Sequence, residues 1–176
     1  MGIGILVCGL NGSGKSTLGK TLAETIGFHF IDNEDLYFPK ENPEYLFDSP
    51  RSDEEVEKIL MHEVRVHENF VFAAVKGNYG VDILSYYKYV VLIDAPKDIR
   101  LQRVRNRSYQ KFGDRMLQGG DLYEREEEFF HHVSSRTENE VEEWVQLLNC
   151  PIIRVDGTKS IEDNIVFITE KLQYMW

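Results

Sequence analysis

Gly9-Leu10-Asn11-Gly12-Ser13-Gly14-Lys15-Ser16 is the stretch that decides how this chain folds. A glycine, four residues, then glycine, lysine and serine is the spacing of a phosphate cradle. The glycines let the backbone turn tightly and aim successive N–H groups inward, and the helix that follows adds the positive end of its dipole. The flanking sequence agrees. Residues 3–7 form a continuous apolar run, the pattern of a parallel strand buried on both faces. Beyond the motif, Leu18, Leu22 and Ile26 recur at helical spacing, and Gly27 stands where a left-handed cap is wanted. Strand, turn and helix together predict that Gly9, Asn11, Gly12, Ser13, Gly14 and Lys15 surround phosphate oxygens, with Lys15 on the terminal phosphates. The Ser16 hydroxyl is the expected magnesium ligand, and Thr17 adds a hydrogen bond.

Outward from the motif, short apolar runs at 28–31, 70–75, 89–93 and 152–155 read as further strands. Helical spacing predicts helices over 15–26, 53–68, 98–107 and 161–172, with one long or broken acidic helix over 122–148. Ser52 caps the second of these, with Asp53, Glu54 and Glu55 in its first turn. Strands that alternate with helices predict an α/β fold: a five-stranded parallel sheet with helices on both faces, three layers in all. The 176 residues suit a single domain, 1–176. Within it, 32–69 reads as the region facing a phosphate acceptor and 98–120 as a lid, with 108–120 as loop.

Thirty acidic residues against 20 basic ones give a formal charge of −10, a field that repels nucleic acid phosphates. No nucleic acid partner is expected, and no run reaches membrane-spanning length. Cys8 and Cys150 fit neither a disulfide framework nor a metal site, so a reducing, cytoplasmic setting is expected. His131 and His132 lack a second ligand pair at metal spacing and read as helix surface.

The positive charge that remains is clustered. Arg100, Arg103, Arg105 and Arg107 fall within eight residues, with Lys111 and Arg115 beyond. Phosphoryl transfer needs such charge on the oxygens of the moving group, and guanidinium groups supply it with fixed geometry. A solvated basic face paired with the acidic run at 124–128 is the alternative for any one of them.

With this layout of early P-loop, acceptor region, arginine-bearing lid and a late strand ending in Asp156-Gly157-Thr158, nearly the whole chain resembles the adenylate kinase-like, or nucleoside monophosphate kinase-like, branch of P-loop proteins. The resemblance implies a lid that closes over ATP with Mg2+. It implies that Arg103 lies near the adenine and Arg107 touches phosphate. Arg115 would be a second lid arginine, and Gly157 and Thr158 would lie against the adenine edge.

The acceptor region departs from the nucleotide kinases. Asp32, Glu34 and Asp35 place three carboxylates at the end of the second strand, where a phosphate-bearing acceptor would be repelled. The third strand ends Lys76-Gly77-Asn78-Tyr79-Gly80, without the acid and arginine usual in adenylate kinases. Shikimate- and gluconate-type kinases resemble the chain more closely here: an aspartate at the position of Asp32 holds magnesium or serves the acceptor hydroxyl, and gluconate-type kinases carry a lysine near Lys76. Asp32 is thus a candidate for metal and acceptor alike, with Glu34 and Asp35 competing for the acceptor. Arg51 and Lys76 are further candidates for holding substrate, while Tyr37, Phe38, Tyr45 and Phe47 either line a pocket or form core beneath a loop. The expectation is an ATP-dependent kinase for a small hydroxyl-bearing molecule, monomeric or homodimeric. Lys15, Asp32, Asp35, Arg107 and Arg115 would act at the reacting centre. A nucleoside monophosphate kinase and a nucleotide-binding regulatory module with little turnover remain as alternatives.

Overall fold

Five parallel strands form one sheet in the order β2-β3-β1-β4-β5 in the computed structural model, which describes residues 2–173. They are β1 (Gly4–Cys8), β2 (His29–Asp32), β3 (Phe70–Ala74), β4 (Tyr87–Asp94) and β5 (Ile152–Asp156). The helices are α1 (Lys15–Ile26), α2 (Asn33–Tyr37), α3 (Asp53–Val66), α4 (Lys97–Phe112), α5 (Tyr123–Ser135), α6 (Glu140–Val145) and α7 (Ile161–Gln173). The α/β, three-layer prediction matches this architecture, with all five strands near their expected positions.

The two-residue period of each strand sends alternate side chains to opposite faces. Leu6, Cys8, Phe70, Phe72, Val90 and Leu92 point to one side, where α3 and α6 cover them with Val56, Leu60, Val141 and Val145. Ile5, Val7, Val71, Val91, Ile153 and Val155 point to the other, under Leu18 and Leu22 of α1 and Ile165 and Ile168 of α7. The lid and α5 share a small separate core, Val104, Met116, Phe130 and Val133. Cys8 and Cys150 are free thiols. Burial pushes the Cys8 thiol up to about 12, so it behaves as a small apolar core residue.

One boundary needs correction, and two segments gain detail. After β2, Asp32 caps the short helix α2 by accepting a hydrogen bond from the Glu34 N–H at 2.9 Å. The lid helix α4 runs on to Phe112 instead of stopping at 107, because Ser108 is buried against the fold and Phe112 packs on Tyr45 and Phe47. Gly113, at φ 57°, ends it, and a short 3-10 turn follows over Gly113–Met116. Of the two forms expected for the acidic stretch, the broken one holds, with α5 and α6 separated by residues 136–139. Among the described residues, no helix is long and apolar enough to cross a membrane.

β1 lies at the centre of the sheet, so the motif that follows it emerges at the carboxyl ends of the strands, where open α/β sheets collect ligands.

Candidate active site

The phosphate cradle takes the shape its spelling requires. Gly14 adopts φ 105° in open space, a conformation that costs a side-chain-bearing residue energy, and it leads directly into α1. A Cβ on Gly12 would lie 2.3 Å from the Arg100 carbonyl oxygen, so glycine there lets α4 pack against the loop. Arg100, only 3% exposed, fastens that contact. It donates from Nε to the Ala95 carbonyl at 2.9 Å, from Nη1 to the Asn11 carbonyl at 3.4 Å, and from Nη2 to Glu138 Oε2 at 2.7 Å. Two buried polar atoms within the loop, Asn11 Oδ1 and Ser13 Oγ, have no hydrogen-bond partner among the described residues. The Ser13 hydroxyl can donate, so an unpaired Oγ beside inward-turned backbone fits a cradle that takes phosphate oxygen as the missing partner.

Two hollows open on either side of this turn. The first, of about 300 Å³, is lined by Asn11, Gly12, Lys15 and Ser16 from the cradle, and by Asp32, Asn33 and Glu34 from the end of β2 and α2. Arg107, Ser108 and Lys111 of α4 face it from the lid. Its outer wall is aromatic: Tyr37, Phe38, Tyr45, Phe47 and Phe129. The second hollow is lined by Ser13, Gly14 and Thr17, by Arg103, and by Gly157, Lys159 and Ser160 after β5. Arg103 spans its mouth, donating to the Gly157 carbonyl at 2.9 Å and the Gly12 carbonyl at 3.4 Å. The Gly157 N–H donates to the Asp94 carbonyl at 2.6 Å, which fixes the loop against β4. Asp94 thus serves through its backbone at the end of a strand.

Lys15 is electrostatically primed. Burial among protein atoms, followed by the charge of Arg107, lowers its pKa from 10.5 to about 8, against the opposing pull of Asp32. Its ammonium donates only to the Leu10 carbonyl, at 3.2 Å, among the described residues. Asp32 spends Oδ1 on capping α2 and, among the described residues, keeps Oδ2 without a protein hydrogen bond. Ser16 and Asp32 therefore offer two oxygens in one cavity, a donor set that suits magnesium together with phosphate oxygens and water.

Several expected site residues are placed elsewhere. Asp35 turns outward and is held by Lys40. Arg51 donates to the Asp35 and Leu36 carbonyls at 3.3 and 2.8 Å, closing the end of α2 where carbonyls lack helical partners. Lys76 lies 3.6 Å from Glu140 of α6, because the backbone beyond Val75 leaves the cavity floor. Arg115 is engaged by both oxygens of Asp121 and by the Glu44 carbonyl. Thr158 turns back to Asp156 at 2.6 Å. Arg105 pairs with Glu127 of α5 at 2.9 Å, the solvated-face alternative among the lid arginines.

Other contributors were not foreseen. Arg136, just after α5, pairs with Glu140 at 2.9 Å, adds positive field at Lys15, and has a buried Nε with no hydrogen-bond partner among the described residues. The segment over 38–48 is strapped to α5 and to the lid: Tyr45 donates to Glu126 Oε1 of α5 at 3.0 Å, and Lys111 of α4 lies 4.4 Å over the Phe47 ring. Glu126, 1% exposed, is the carboxylate that the acidic helix turns inward. No local sequence signal separates Glu126 from its acidic neighbours.

Known proteins share this layout. Uncharacterized protein YqaC of Bacillus subtilis (strain 168) is 27% identical over 169 residues, covering 92% of each chain. A probable gluconokinase of Xenopus tropicalis is 33% identical over 91 residues, 46% of this chain and 47% of its own. Among solved structures, deoxyadenosine kinase from M. mycoides with bound dATP superposes with a TM-score of 0.59 at 15% identity, over 97% of this chain and 99% of its own. A gluconokinase from Sinorhizobium meliloti 1021 gives a TM-score of 0.57 at 15% identity, over 98% and 96%. At such identities these structures establish a kinase-like P-loop fold. The AAA domain family model matches residues 5–143, most of the chain and the whole lining of the first hollow, and the chain belongs to that family.

Proposed function

We propose that this protein is an ATP-dependent phosphotransferase that moves the γ-phosphoryl group to a small hydroxyl-bearing metabolite. The observation that carries the reading is one cavity that joins Lys15 and Ser16 of the cradle to Asp32 and Arg107. The base of ATP occupies the hollow spanned by Arg103, and its phosphates cross the cradle into the cavity. Lys15 and Arg107 bear on the terminal phosphate, Ser16 and Asp32 on Mg2+. The metal, when bound, supplies charge neutralisation between the phosphates.

Where water rather than Asp32 would complete the metal's shell, Asp32 Oδ2 orients the acceptor hydroxyl instead and takes its proton as the new P–O bond forms and the γ-phosphorus bond to the β-phosphate oxygen breaks, releasing ADP. Most of the rate enhancement then comes from positioning and from cations aimed at the transferring group. The wall of Phe38, Tyr45, Phe47 and Phe129 favours an acceptor with an apolar ring face. A phosphate-bearing acceptor is disfavoured, since the cation on that wall, Lys111, is 3.5 Å from Glu34.

ATP consumption across sugars, sugar acids, nucleosides and nucleoside monophosphates, with Lys15→Ala as control, tests the reading. Turnover with a hydroxyl acceptor, lost in Lys15→Ala, is the expected result. Turnover with monophosphates alone overturns the acceptor class, and no turnover with any acceptor overturns the reading itself.

A further inference from the structure

At the end of β2 remote from Asp32, two imidazoles and a carboxylate converge. His29 opens the strand, Glu63 sits in the last turn of α3, and His67 caps that helix. Backbone hydrogen bonds fix the approach: the His67 N–H donates to the Glu63 carbonyl at 2.8 Å, and the His29 N–H donates to the Asn69 carbonyl at 3.0 Å. Glu63 and His67, four apart, share one helix face. The imidazole rings stack with centroids 3.6 Å apart and planes 13° from parallel. Both Nε2 atoms address the same carboxylate oxygen, His29 at 3.0 Å and His67 at 3.9 Å. Each of the three can offer a ligand atom within 4.8 Å of the others.

We propose that His29, Glu63 and His67 form a binding site for a divalent transition metal of the zinc class. Two imidazole nitrogens and one carboxylate oxygen make a donor set that zinc accepts at about 2.0–2.2 Å, with a fourth position left to water. Magnesium and calcium, which prefer all-oxygen shells, are poorly served by two imidazoles. The side chains are 36%, 31% and 40% exposed, so water and the ion have access and small rotations can draw the donors inward. The site is distinct from the phosphate cavity, since none of its residues lines that cavity.

Its effect is mechanical. β2 is an edge strand of four residues, paired only with β3, and its far end carries Asp32. A metal bridging His29 to α3 clamps the start of the strand about 10 Å from that carboxylate, at about 3.3 Å per residue. Binding to the folded state alone also stabilises the protein by mass action.

Zn2+ titration of the metal-free full chain by calorimetry, together with the visible spectrum of the Co2+ form, tests the site. One Zn2+ per chain, an intense tetrahedral Co2+ spectrum and a rise in melting temperature with Zn2+ are expected. His29→Gln and His67→Gln should weaken Zn2+ by more than the roughly 10–100-fold that loss of an outer-shell partner costs, and abolish the spectrum. Glu63→Gln, which preserves side-chain size, provides an independent third loss, and melting in EDTA checks that each variant is folded. Lys15→Ala and the double variant His131→Gln/His132→Gln should bind Zn2+ like the wild type. Unchanged affinity in folded His29→Gln or His67→Gln protein, or a weak octahedral Co2+ spectrum in the wild type, overturns the proposal.

Discussion

Binding of ATP should draw a proton onto Lys15, and the size of the effect follows from the site. The nucleotide-free lysine has its pKa lowered to about 8 by burial and by Arg107. Phosphate oxygens placed against it add negative charge that offsets both influences, favouring the charged form and raising the pKa back toward the ordinary value near 10.4. With a free-state pKa of about 8, roughly one tenth of the lysine is neutral at pH 7, half at pH 8 and nine tenths at pH 9. Binding MgATP should then take up about 0.1, 0.5 and 0.9 proton at those pH values. Calorimetry in buffers of different ionisation enthalpy reads this number directly, because the ATP phosphates are already ionised at pH 8 to 9. Lys15→Arg keeps a positive charge that does not titrate in this range and should abolish the uptake. Uptake near zero in the wild type at pH 9, or equal uptake in Lys15→Arg, would refute the account of the site electrostatics.

Other perturbations separate structural from chemical roles. Asp32→Asn keeps an oxygen to cap α2, so its stability should stay within about 1 kcal/mol of the wild type while turnover falls by about 10²–10⁴-fold; Asp35→Asn should leave turnover intact, both read by steady-state kinetics and denaturant unfolding. Arg100→Ala removes three hydrogen bonds behind the cradle and should cost about 2–3 kcal/mol at roughly 1 kcal/mol each, measured by urea unfolding. Lys15→Met should raise the melting temperature of nucleotide-free protein at neutral pH. The folded-state pKa of Lys15 lies below its unfolded value, so the charged lysine destabilises the fold fully below about pH 8, and the cost fades as pH rises toward 10.5. The stability gap between Lys15→Met and wild type should therefore narrow across that window in thermal melts.

What the sequence makes legible follows from how locally each feature is encoded. The cradle is written in eight consecutive residues, and the strands in apolar runs whose alternation the two core layers reproduce. Helix α1 could be bounded at both ends because Gly14 and Gly27 carry its left-handed termini. The lid helix could not, because Phe112 is helical through contacts with Tyr45 and Phe47, more than sixty residues away in the chain. The acceptor region shows the same limit. Asp32, Glu34 and Asp35 look equivalent in sequence, yet the short helix α2 keeps Asp32 and Glu34 at the cavity and turns Asp35 toward Lys40. Arg51, Lys76 and Arg115 have the right chemistry and nearer partners. Arg136 and Phe129 belong to the site region only because α5 packs back against α4 beside the cavity.

The central claim, phosphoryl transfer across the cavity shared by Lys15, Asp32 and Arg107, is tested most directly by phosphorus NMR of MgATP incubated with the protein and the acceptor panel. The account predicts a phosphate-ester resonance that grows one-for-one with ADP and is absent with Lys15→Ala and strongly slowed with Asp32→Asn. ADP that appears only with inorganic phosphate, or an ester that forms undiminished in Lys15→Ala, would contradict it.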